Sequence, residues 1–172
     1  MCWFLENNKN LIVQVFSEFY IFLFLVHYDC NDNKMLHNAL LDSKKIHIRS
    51  LCDFFSNSKK KKDDLIYKDF IISDVDLSVS EPVKVRTFIN KSIAHISRKR
   101  GQMKFPEEEF LVVTKALIRS INSFIREMDY HLNLDYSEEY YDQEVQQMKS
   151  NILWQIVAIV LDNAKKGIVI EL

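Results

Sequence analysis

Only two glycines and two prolines occur among the 172 residues. Sandwiches, barrels and parallel sheets need turn residues at most strand ends, so this scarcity excludes them and leaves helices joined by few loops. Cysteine is sparse too. Cys2, Cys30 and Cys52 are odd in number and lack C-x-x-C spacing. That pattern fits a reducing cytoplasm and small buried thiols rather than a disulfide frame or a zinc site. No Gly-rich phosphate loop, G-x-S-x-G or H-E-x-x-H is present, so those phosphate-binding, hydrolase and metalloprotease chemistries have no anchor. Neither a metal nor a cofactor is expected. Charge bias is also missing: a net charge of −1 argues against generic, charge-driven nucleic-acid binding while leaving room for a local basic site.

What is present is 48% hydrophobic and 27% charged residues, the balance of a globular chain able to bury a real core. The expectation is one all-α domain over 1–172, an up-and-down bundle of four to five helices. Its core covers 8–130, followed by a C-terminal helix and tail over 137–172. The most apolar run, "LIVQVFSEFYIFLFLVHY" from Leu11 to Tyr28, invites a membrane reading. Gln14 and Glu18 interrupt it, and the opening "MCWFLENN" has no basic region. A central bundle helix buried nearly all round is therefore expected, with no membrane partner.

Periodicity and punctuation predict the helices. The first runs from Asn8 to His27 and stops at "DCNDNK"; the second spans Lys34 to Phe55 with Asn33 as N-cap. Leu36, Leu40, Leu41, His47, Ile48, Leu51, Cys52, Phe54 and Phe55 fall on one wide arc, which predicts a broad buried face. "SNSKKKKDD" reads as a solvated loop, and Asp64 to Phe70 as a short helical turn. A third helix opens at Glu81-Pro82, runs to about Arg98 and stops near Gly101. Pro106 with Glu107, Glu108 and Glu109 starts a fourth, whose Phe110, Val113, Leu117, Ile121, Phe124 and Met128 recur at helical spacing. The fifth spans Tyr140 to Lys165 and is expected to bury Ile152, Trp154, Ile156 and Val157, with "GIVIEL" as an extended tail.

From Pro82 to Phe105 there is no acidic residue, while Lys84, Arg86, Lys91, Arg98, Lys99, Arg100 and Lys104 are basic. Val85, Phe88, Ile89, Ile93 and Ile96 form the buried arc of this helix, and Lys84, Lys91 and Arg98 share the opposite edge. His95 falls between them. Neighbouring cations favour a neutral imidazole able to accept a proton, and the same cations can hold a nucleic-acid phosphate. A plainer alternative stands beside this. The run from Glu127 to Glu144 holds seven acidic residues and no lysine or arginine, and packing it on the basic helix would cancel the patch.

"INKSIAHISRKR", Ile89 to Arg100, together with "LHNALLDSKKIHIRSLCDFF", Leu36 to Phe55, resembles the HEPN superfamily. These are helical bundles, usually dimeric, of toxin–antitoxin and phage-defence systems. Their hallmark is an arginine, a polar residue, a few variable residues and a histidine. "NKSIAH" fits that frame with His95 in the histidine place, Lys91 in the polar place and Asn90 where active members carry arginine. The resemblance covers about Lys34 to Met128. It implies a metal-independent ribonuclease in which His95 supports attack by the RNA 2′-hydroxyl, Asn90 and Lys91 position the phosphate, and Arg98 or Arg100 binds the backbone. Asparagine brings no charge, and a charge-assisted contact is about twice as strong as a neutral one. Lys91, Arg98 and Arg49 are the cations in reach of that role, though lysine lacks arginine's planar fork.

His47 and Arg49 are secondary candidates whose side chains leave the second helix about 160° apart. On residues alone His47 reads as a core histidine and Arg49 as half of a surface ion pair with Asp53, four residues on. Tyr140 and Tyr141 could stack bases or pack at the bundle edge. Two functions remain open at this stage. One is a HEPN-like ribonuclease, or a degraded relative, that acts on RNA. The other is a non-catalytic bundle that forms a homodimer or binds an antitoxin or other protein partner.

Overall fold

The computed structural model describes residues 2–28, 33–57, 61, 64–71, 74–92, 104–135 and 143–170, with side chains described throughout except at 2–10, 92, 129–135 and 143–144. Its elements are α1 (Cys2–His27), α2 (Lys34–Phe54), a single 3-10 turn (Tyr67–Asp69), α3 (Val83–Ser92), α4 (Glu107–Asp135) and α5 (Gln143–Lys165). Among the described residues there is no strand. The fold class is all-α, as the scarcity of turn residues requires.

Local chemistry explains the ends. Asn33 adopts an extended backbone and its Oδ1 accepts from the amides of Met35 and Leu36, each at 3.1 Å, which caps α2. Three glutamates in the first turn of α4 face the positive end of its dipole. At the far end, Gly167 has φ +73°. Its amide donates to Ala164 and that of Ile168 to Asn163, at 3.0 and 2.9 Å. This paired closure ends α5 and turns the tail back until Ile170 is buried.

The helices are joined by an aromatic knot. Phe19 of α1 lies 5.8 Å from Phe54, 5.7 Å from Phe55 and 5.6 Å from Phe124, centroid to centroid. One side chain thus connects α1, the end of α2 and α4. Most of these pairs meet edge to face, the arrangement ring quadrupoles favour. α1 packs along α5 and α2, while α3 packs on α2 and α4. The segment after α2 closes over the knot. The Tyr67 hydroxyl lies 2.9 Å from Asn57 Oδ1 and 3.2 Å from Asp76 Oδ1. Burial and the Asp76 charge hold this phenol above its ordinary range.

Three expectations need correction. α1 is not buried all round: Tyr20, Ile21 and Phe24 are each about 40% exposed, because the helix has packed neighbours on only part of its circumference. No helix of the described residues is long and apolar enough to cross a membrane. On α2 the buried face occupies only the second half. Leu36 is 43% exposed and Leu40 and Leu41 are half-buried, since the first half of the helix borders a cleft rather than a packed partner. On α5, Ile152, Ile156 and Ile159 face the core at i, i+4, i+7, which turns Trp154 outward at 73% exposure and leaves Val157 exposed as well. The tail carries no regular structure over 168–170.

Phe19 has no exposed surface. Phe19→Ala should therefore lower the free energy of unfolding by about 3–5 kcal/mol, measured by urea titration. Tyr20→Ala, one residue away on the exposed side, should move the midpoint far less.

Candidate functional site

Val85, Phe88 and Ile89 anchor α3 by their buried side chains, which leaves Arg86 and Asn90, one turn apart, on the flank facing α2. Arg86 Nη2 reaches Asp53 at 3.1 Å, and Arg49, one turn before Asp53, donates from Nη1 to Asn90 Oδ1. The two pairs run in opposite senses along the two helices, so α2 and α3 are antiparallel across this seam. The expected Arg49–Asp53 pair is not the arrangement adopted. Asp53 is engaged by Arg86, and Arg49 reaches across to the neighbouring helix instead.

The charges along the seam divide sharply. Arg86 is neutralised twice, by Asp53 and by Glu81 at 2.6 Å, the Glu81 side chain being only 4% exposed. Lys84 pairs with Glu109 of α4 at 2.6 Å; its ammonium is shifted above and that carboxyl below the ordinary range by their mutual hydrogen bond. Arg49 and Lys91 make no ion pair among the described residues. Arg49 is half-buried and bonded to a neutral amide; Lys91 is exposed. A guanidinium held by an uncharged acceptor keeps its positive charge and its remaining donors for a ligand.

His47 leaves the same helix on the other side. Its Nδ1 lies 2.7 Å from Glu18 Oε1 on α1, with both side chains mostly buried. Here the imidazole joins α1 to α2 and does not meet Asn90. Of the remaining site candidates, His95, Arg98 and Arg100 lie outside the described residues, as do Gly101, Tyr140, Tyr141 and Cys30. Cys52 is buried in the core.

Sequence reasoning missed the Arg49–Asn90 bond and the carboxylates that quench α3. It looked for counter-charges in the run from Glu127 to Glu144, whereas Asp53, Glu81 and Glu109 supply those seen here. A signal existed. Asp53 lies four residues after Arg49 and Arg86 four before Asn90, so an antiparallel pairing that satisfies the charges brings the other two together as well.

Glu18 gives a test of the α1–α2 link. The His47 hydrogen bond, aided by Ser50, holds its carboxyl below the ordinary value of 4.5 against the opposing effect of burial. A depressed folded-state pKa stabilises fully above the unfolded value and is lost as pH falls through the folded one. The stability advantage of the native chain over Glu18→Gln should therefore shrink on acidification below about pH 4.5, read from urea midpoints. No known protein-family profile, curated protein or solved structure matches the chain, so the Arg49–Asn90 seam is weighed on its own geometry.

Proposed function

We propose that this chain is a HEPN-like, RNA-directed protein of toxin–antitoxin or phage-defence type, working in the cytoplasm as a metal-independent endoribonuclease. The observation that carries this reading is the Arg49 guanidinium bonded to Asn90. In the "NKSIAH" frame Asn90 occupies the place of the motif arginine, and the missing charge is supplied from α2 through that contact. Arg49 would meet the scissile phosphate, Lys91 would add a second cation at the rim, and Asn90 would fix the guanidinium's direction. His95 would take the proton from the 2′-hydroxyl. The 2′-oxygen then bonds to phosphorus, the bond to the 5′-oxygen breaks, and that oxygen takes up a proton. The products are a 2′,3′-cyclic phosphate and a 5′-hydroxyl end. Arg98 and Arg100 would bind the RNA backbone further along.

Purified full-length protein should cleave mixed cellular RNA in the presence of EDTA and leave cyclic phosphate ends. Removing one preorganised transition-state donor costs about 10²–10³-fold in rate, so Arg49→Ala should fall by that order with its circular dichroism unchanged. His95→Ala should abolish cleavage. Equal cleavage by the native protein and His95→Ala, or none by either, sinks the enzymatic reading.

A second reading has its own observation. Tyr20, Ile21 and Phe24 on α1, Tyr28 just after it, and Trp154, Val157 and Leu161 on α5 are large apolar residues left exposed. Such surfaces on packed helices suit a homodimer contact or a protein partner such as an antitoxin. Light scattering should then give twice the monomer mass at low and high salt, and Phe24→Glu with Trp154→Glu should return it to one. A native chain monomeric under both conditions counts against the homodimer.

A further inference from the structure

A cleft of about 340 Å³ opens between the end of α1, the first half of α2, the start of α4 and the end of α5. Its size falls within the lower range of small-molecule sites. The walls are largely aliphatic and aromatic, with Leu25, Leu41, Phe110, Ile118 and Ile159 among them, and the returning tail contributes Ile170.

Four lysines line this apolar space against two carboxylates. Lys45 is committed to Asp42 and Lys166 to Asp162, each at 2.8 Å. Lys44 and Lys115 have neither ion pair nor hydrogen bond among the described residues. Lys44 is the more telling of the two. Burial alone, with no compensating charge, holds its ammonium below the ordinary lysine range. A cation partly withdrawn from water without a partner is costly, and an anion bound beside it would offset that cost. Thr114, buried on α4, lines the same space.

We propose that this cleft binds a small organic anion, a carboxylate carried on an apolar body, with Lys44 as its counter-ion. The apolar walls take the body. Lys44 meets the carboxylate, and Lys115 adds charge that steers the anion inward. A carboxylate brings the single negative charge that one half-buried ammonium neutralises. The site is separate from the RNA-directed seam, since Arg49, Asn90 and Lys91 do not line the cleft.

Octanoate is the probe, titrated into the full-length protein by calorimetry, with 1-octanol, octyl phosphate and inorganic phosphate as comparisons. One equivalent of octanoate should bind saturably and raise the thermal midpoint, while 1-octanol and inorganic phosphate should not. Losing a charge-assisted contact should weaken octanoate at least about tenfold in Lys44→Met. The same variant should be more heat-stable than the native chain without ligand, because an unpaired, partly desolvated charge has gone. Should Lys44→Met not fold, Lys44→Gln and the shift of the Lys44 signal in 13C-methylated protein carry the same test. No octanoate binding by the native protein, or equal binding by the Lys44 variants, overturns the site. Tighter binding of octyl phosphate overturns the carboxylate.

Discussion

Phe19 must be dry for the other helices to find their places. Its ring touches those of residues on α2 and α4 at centroid distances below 6 Å, so three helices are positioned by one side chain's contacts. Phe54 and Phe55, adjacent in sequence, cannot both share one orientation on a helix. Phe55 lies just past the end of α2, and the two rings meet nearly perpendicular, at 81°. The termination of α2 is therefore part of the core. The antiparallel seam with α3 depends on it, because the Val79 amide donates a hydrogen bond to the Phe55 carbonyl oxygen at 2.8 Å shortly before α3 begins.

The seam shows how charge is rationed. α3 is rich in cations, and its first half spends them on structure: Lys84 and Arg86 bind carboxylates from three different places, on α2, on α4 and just ahead of α3 itself. Such pairs contribute little each when exposed, but together they fix the rotation of α3 against α2 and α4. At Asn90 and Lys91 no ion pair is seen among the described residues, and the transition from quenched to open charge happens within a turn.

Much of this was legible in the sequence. The N-cap Asn33, the acidic start of α4 and the buried stripe from Phe110 to Met128 follow from capping chemistry and a 3.6-residue period, both local. What periodicity could not decide was which apolar arcs find partners. Leu36, Leu40 and Leu41 share the arc of Ile48 and Leu51, yet only the latter pair meet a packed neighbour. Trp154 turns outward against expectation because a run of consecutive apolar residues hides its own phase, and three isoleucines take the core. The secondary site residues were harder still. Arg49 had a perfectly good partner four residues away, and only the rotation of α3, a tertiary fact, assigned that partner elsewhere.

The connection from α2 to α3 is long for a bundle, and Tyr67 divides it. Pinning a flexible loop at its midpoint recovers little chain entropy, since halving its length is worth only about 0.6 kcal/mol. The larger effect is solvent exclusion: Tyr67, Phe70, Ile71, Leu77 and Val79 are all buried, and each such side chain is worth roughly 1.5–3 kcal/mol when removed from water. Among its described residues this stretch has one 3-10 turn and otherwise irregular backbone, and it forms the outer wall of the hydrophobic interior. Shortening it, as one would trim an idle linker, would uncover the rings beneath and leave a sticky, poorly folding bundle.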